Sequence, residues 1–134
     1  MSIFVDTSAF VAYLSRDDQN HAIAAKVMQT LVQEKSLLTT TNYTMLETTA
    51  LLQRWLGLAA LQDFQEVVVP LLTITWVDAA LHDLGVTAVL TANRRQLSLV
   101  DCISFVLCRR QGIQQVFAFD QHFAEQGFTL LNHA

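Results

Sequence analysis

Four carboxylates in this chain keep apolar company. Asp6 follows Ile3-Phe4-Val5, and Glu47 sits within Met45-Leu46-Glu47-Thr48-Thr49-Ala50-Leu51. Asp101 lies within Ser98-Leu99-Val100-Asp101-Cys102-Ile103-Ser104-Phe105, and Asp120 follows Phe117-Ala118-Phe119. The other eight of the twelve acidic residues, Asp18 among them, occupy polar or helix-surface settings. A buried carboxylate without a partner is costly, and none of the eight basic residues stands within three positions of these four. Gathered into one pocket, the four would form the all-oxygen donor set that Mg²⁺ or Mn²⁺ prefers. One or two such ions would turn a pocket that repels a phosphodiester into one that attracts it, and would acidify a bound water for in-line attack. Zinc and redox chemistry have little support. Cys102 and Cys108 are six apart, on different faces of one helical pattern, and read as buried thiols.

The same residues have a plainer reading. Ser98-Leu99-Val100-Asp101 and Thr44-Met45-Leu46-Glu47 both match the pattern in which a hydroxyl and an acid three residues on cap a helix start. Asp6 or Thr7 could cap a first helix, and Asp120 a last one. Taken singly, capping is the commoner role for such acids. Taken together, caps do not require apolar neighbours on both sides, and four such acids in one chain favour a shared site.

The surrounding elements suit that site. Ile3-Phe4-Val5 is a short apolar strand running into a helix from Ala9 to Leu14, and Asn20 to Glu34 has helical spacing. Ser36 to Thr39 reads as a strand. Asn42 to Leu56 reads as a helix with Leu46, Ala50, Leu51 and Trp55 on its apolar stripe, ended by Gly57. A helix from Leu58 to about Val69 stops at Pro70, Leu72 to Val77 is a strand, and Asp78 to about Ala92 is helical. Leu99 to Arg110 is a helix closed by Gly112, Val116 to Phe119 is a strand, and Phe128 to Leu130 is a final short strand. Short non-alternating apolar strands between helices predict a three-layer α/β/α domain around a mainly parallel sheet. Asp6 and Asp120 then fall just past carboxyl ends of strands, where open α/β sheets place their ligands.

With 134 residues, no linker-like stretch and no repeat, residues 1–134 read as one domain. The chain is 52% hydrophobic but only 15% charged, which excludes disorder and predicts apolar surface covered by a partner, first of all a second copy. Leu51, Leu52, Trp55, Leu56 and Leu61, around the turn after the third helix, exceed what one core-facing stripe needs and are expected to contribute to an interface. The apolar stretch 67–77 is broken by Pro70, Thr73 and Thr75, so no membrane span is expected. The N-terminus lacks a basic region ahead of an apolar one, which points to the cytoplasm.

The chain resembles the PIN domain. The resemblance rests on Phe4-Val5-Asp6-Thr7-Ser8-Ala9, a Glu in the third helix, Leu97 to Phe105 around Asp101, and Phe117-Ala118-Phe119-Asp120-Gln121-His122-Phe123. It spans the whole chain, and the short single-domain form is most similar to the VapC-type toxins of prokaryotic toxin–antitoxin pairs. This resemblance implies a Mg²⁺- or Mn²⁺-dependent endoribonuclease, with Asp6, Glu47, Asp101 and Asp120 as the acidic quartet that holds metal and carries catalysis. It implies supporting roles for the hydroxyls of Thr7 and Ser8. It also implies an RNA substrate and a small antitoxin that obstructs the acidic pocket, while the expected homodimer rests on the apolar, charge-poor composition.

Arg94-Arg95 and Arg109-Arg110 are half of the basic charge. Arg94 and Arg95 precede the Asp101 segment and are candidates for holding RNA phosphates against a net charge of −4, with solvated helix ends as the alternative. His122 could approach a phosphate, although a lone histidine is more often structural. Haloacid-dehalogenase phosphotransferases need a second Asp two residues after the first, where this chain has Ser8. The competing readings are a non-catalytic PIN-like module that binds RNA or protein, and a housekeeping RNA-processing nuclease.

Overall fold

The computed structural model describes residues 1–133. Five strands, β1 (Ser2–Val5), β2 (Leu37–Thr41), β3 (Leu72–Thr75), β4 (Gln115–Phe117) and β5 (Thr129–Leu130), form one sheet in the order β3-β2-β1-β4-β5, with every pairing parallel. Helices α1 (Thr7–Leu14), α2 (His21–Gln33), α3 (Asn42–Leu51), α4 (Leu58–Asp63), α5 (Ala79–Ala92), α6 (Leu99–Gln111) and α7 (His122–Glu125) connect them. The chain moves outward from β1 to β2 and β3, then returns to the other side of β1 for β4. The direction of travel reverses beside β1, which places the ligand crevice of such a sheet between β1 and β4.

Both faces of the sheet are covered, which explains why its strands do not alternate apolar and polar residues. On one face Ile3, Val5 and Phe117 pack with Phe10, Met28, Leu31, Leu52 and Phe64. On the other, Phe4, Val116 and Ala118 pack with Ile103, Phe105, Cys108, Phe123 and Phe128. Cys102 and Cys108 are buried free thiols. At Gly85 of α5, any Cβ would collide with Ile103 of α6, so glycine here permits the close approach of the two helices. Among the described residues no helix is long and apolar enough to cross a membrane.

Three local features depart from the sequence reading. First, α3 and α4 do not run on as plain α-helices: each continues in a wider π turn, Leu52–Leu56 and Phe64–Val68, and a 3-10 turn at Val69–Leu71 precedes β3. Second, α3 buries Thr44 and Thr48, not the expected Leu46 and Ala50. Leu46 is 71% exposed, and Trp55 and Trp76 are also exposed. Third, β2 extends through three buried threonines. Thr39 donates to the carbonyl of Thr73, Thr40 to that of Val5, and the Thr41 hydroxyl accepts the Thr44 N–H at the start of α3. Their hydroxyls are buried because each has a partner.

Candidate active site

The four acids of the sequence reading converge on one cavity of about 370 Å³ at the carboxyl edge of the sheet. Asp6 leaves β1 and caps α1, its Oδ2 accepting both the backbone N–H (3.1 Å) and the hydroxyl (2.7 Å) of Ser8. The Ser8 hydroxyl accepts the N–H of Phe119 (2.9 Å), tying the ends of β1 and β4 together. Asp101 is the third residue of α6 and completes a reciprocal cap: Ser98 Oγ accepts the Asp101 N–H, and Asp101 Oδ2 accepts the Ser98 N–H. Asp120, past the end of β4, accepts the N–H of His122 at 2.9 Å. Glu47 comes from the second turn of α3.

Thr7 is buried behind them. Its hydroxyl donates to the carbonyl of Thr44 (3.4 Å) and accepts from Thr48 (3.0 Å), joining α1 to α3. The supporting hydroxyls named from sequence therefore have distinct tasks. Ser8 orients an acid and staples two strands, whereas Thr7 locks the helices that carry Asp6 and Glu47.

Burial and repulsion from neighbouring carboxylates keep Asp6, Glu47 and Asp101 from ionising freely. Asp6 is 4% exposed, and burial pushes its pKa up to about 6 despite the opposing Ser8 hydrogen bonds, with further upward pressure from Asp101 and Asp120. Glu47 is raised by burial, opposed by the Thr7 hydroxyl and reinforced by Asp101 and Asp120. Asp101 is raised by burial and by Asp120, while Ser98 and His122 pull it down. A pocket that holds several acids above their ordinary range fits a positive charge.

His122 strengthens that fit. Its Nδ1 is buried with no hydrogen-bond partner among the described residues, 3.2 Å from Asp120 Oδ1 and 3.7 Å from Asp101 Oδ2. Neighbouring ligands of an octahedral ion with bonds of about 2.1 Å stand about 3 Å apart. Asp101, Asp120 and His122 each offer a donor within 4.8 Å of the other two. Asp6 and Glu47 line the same cavity from its other walls. The residues present thus fit a divalent cation, with one nitrogen added to the oxygen set.

The sequence matches the model of the PIN domain family over residues 3–128. The chain belongs to the PIN domain family. It is 32% identical over 130 residues to the 23S rRNA-specific endonuclease VapC20 of Mycobacterium tuberculosis, with 95% of each chain covered. The crystal structure of that protein, described as a sarcin-ricin loop cleaving toxin, matches with a TM-score of 0.83 at 30% identity, covering 95% of this chain and 96% of that one. FitAcB from Neisseria gonorrhoeae shares the PIN fold with a TM-score of 0.67 at 15% identity, covering 97% of this chain and 96% of its own.

The basic residues lie apart from the PIN cavity, which has no Lys or Arg in its lining. Arg94 is exposed and pairs with Glu125 at 3.1 Å, and Arg95 is exposed beside it. Arg109 is structural: its guanidinium lies over Phe128 and bonds Gln126. Sequence reasoning missed Asp18 and Asn20, which line the cavity from the loop before α2. Their signal was only a polar Asp17-Asp18-Gln19-Asn20 run, indistinguishable from an ordinary solvated turn.

Proposed function

We propose that this chain is a metal-dependent endoribonuclease of the VapC toxin type, hydrolysing RNA phosphodiesters at the cavity lined by Asp6, Glu47, Asp101 and Asp120. One observation carries the reading. Acids from four separate elements share a cavity at the sheet's switch point, and the buried Nδ1 of His122 stands among them without a hydrogen-bond partner. The VapC20 relative, named as a 23S rRNA-specific endonuclease, supplies the substrate class.

Asp101, Asp120 and His122 would hold a Mg²⁺ or Mn²⁺ ion, with Asp6 and Glu47 lining the same cavity. Such an ion, when bound, lowers the pKa of a coordinated water and offsets the charge of the phosphate. The protein supplies orientation. Ser8, Ser98 and the His122 N–H each fix one carboxylate, so three of the four acids are aimed before substrate arrives. Arg94 and Arg95 would contact RNA phosphates outside the cavity.

The partners follow the same reading. A toxin of this type is held by an antitoxin protein that covers the acidic pocket. The turn after α3 does not offer the interface expected from its sequence, since Leu52 is buried in the core, Leu61 packs against it, and Leu51 and Trp55 line the acidic cavity. A homodimer would instead cover the groove in which exposed Leu46 and Trp76 meet Tyr43, Met45 and Ile74. Light scattering should then give twice the 15.0 kDa chain mass, and Leu46→Glu should halve it. A wild-type mass of one chain at micromolar concentration refutes the dimer.

The decisive test of function is cleavage. The purified chain with Mn²⁺ should generate new 5′ ends in bacterial ribosomal RNA, and Asp6→Asn should generate none. Cleavage that survives exhaustive EDTA treatment, or persists in Asp6→Asn, overturns the reading.

A further inference from the structure

The acidic cavity is larger than a metal ion needs. Its volume of about 370 Å³ falls within the roughly 300–1,000 Å³ of small-ligand sites, and its lining continues past the carboxylates to Asp18, Asn20, Leu51 and Trp55. Trp55 is 63% exposed, a large apolar surface left open at the rim of a charged cavity. It sits in the π turn Leu52–Leu56, a backbone form that is rare and concentrated at functional sites. Within that turn Leu52 is completely buried in the core while Trp55, three residues on, borders the cavity.

We propose that Trp55 is a stacking platform for one nucleobase of the RNA beside the scissile phosphate, with Asn20 on the cavity wall contacting the edge of that base. The inference rests on the nuclease reading and adds a binding residue to it. Charge decides between the ways this cavity could hold a nucleotide. No Lys or Arg lines it, four Asp and one Glu do, and the chain carries a net charge of −4. Beyond the metal itself, the attraction available to a nucleotide here is stacking and neutral hydrogen bonding. Proteins that recognise unpaired RNA place splayed bases on aromatic faces for this purpose. Asn20 is suited to the edge because a carboxamide offers both donor and acceptor, and its loop is pinned by its own N–H donating to Asp18 Oδ1 at 2.8 Å.

The test uses the full chain and short single-stranded RNAs carrying the cleaved site. In a Trp76→Phe background Trp55 is the sole tryptophan, and RNA should quench its fluorescence, whereas in Trp55→Phe the remaining Trp76 should not respond. Trp55→Ala should raise KM for cleavage roughly tenfold with kcat nearly unchanged, and Trp55→Phe should recover most of that loss. Removing a single base next to the cleaved bond should cost the wild type the same factor and cost Trp55→Ala nothing further, because both changes delete one contact. Wild-type KM in Trp55→Ala, full additivity with every abasic position, or an effect confined to binding a protein partner overturns the proposal. A wild-type chain that cleaves no RNA would sink the nuclease reading instead, and the quenching titration, which needs no turnover, would still decide the role of Trp55.

Discussion

Asp101 and Glu47 enter the cavity from helices whose sequences start alike, and the structure treats them differently. In α6, Ser98 and Asp101 close the reciprocal cap that the sequence predicts. In α3, Thr41 takes the cap, the helix begins two residues before Thr44, and Glu47 is left a turn further in with no backbone N–H to hold it. Asp6 and Asp120 side with Asp101, since each accepts an N–H from two residues on. Capping and the proposed metal binding are therefore compatible roles for these acids. A short acid fixed by a backbone N–H is aimed with little freedom, whereas the longer Glu47 reaches the cavity with no backbone N–H to hold it.

Side-chain length tests this contrast most strongly. Asp6→Asn and Asp101→Asn should each lower kcat by about 10³-fold or more, measured on a defined RNA. Asp101→Glu should be as damaging as Asp101→Asn, because an added methylene cannot keep both the Ser98 N–H and the cavity position. Glu47→Asp should cost only about 10-fold. Equal losses in Asp101→Glu and Glu47→Asp would erase the distinction.

Metal affinity comes next. His122→Ala should weaken Mn²⁺ binding by about 10-fold in calorimetry, since it removes the one nitrogen donor while leaving the carboxylates in place. Unchanged affinity would remove His122 from the site.

Stability should respond to pH in the direction opposite to most proteins. Asp6 has a folded pKa of about 6 against 3.8 for the free group, so the folded state binds more protons between those values. Its contribution is greatest below about pH 4 and is lost as the pH rises through about 6, a change of about 3 kcal/mol. The metal-free protein should accordingly gain thermal stability between pH 7 and pH 5, and added Mn²⁺ should flatten the slope. Asp6→Asn should raise the metal-free Tm by several degrees and remove most of the pH dependence. A metal-free Tm that falls over the same acid range refutes this account.

The smallest effect belongs to the cap itself. Ser98→Ala should cost about 1 kcal/mol in denaturant unfolding and also weaken Mn²⁺ binding, because the same bonds orient Asp101. A loss of stability with no loss of metal affinity would separate the two roles again.

Much of this was legible in the sequence, for physical reasons. Strands covered on both faces read as apolar runs, so β1 and β4 and the acids at their ends stood out. Gly57, Pro70 and Gly112 marked where helices had to stop. The π turns were invisible because local pattern does not register one extra residue per turn. α7 is only four residues long, too short for a periodicity. Thr40 and Thr41 lie beyond the strand read from the sequence, since only the folded sheet supplies the partners that make a buried hydroxyl tolerable. Glu47 could be placed only by its helix. Asp18, Asn20 and Trp55 share a cavity only because the loop before α2 and the π turn after α3 meet in the fold, and no spacing along the chain reveals that.

The strand order also fixes when the site can exist. β1 is synthesised first yet lies at the centre, and its neighbour β4 is the fourth strand made. Asp6 waits more than a hundred residues for Asp120. A nascent chain or an N-terminal fragment that stops short of β4 leaves β1 paired on one side only and the crevice unbuilt. On the proposed reading such a chain would have no partial activity to display: competence would arrive in one step, with the stretch that carries β4, Asp120 and His122.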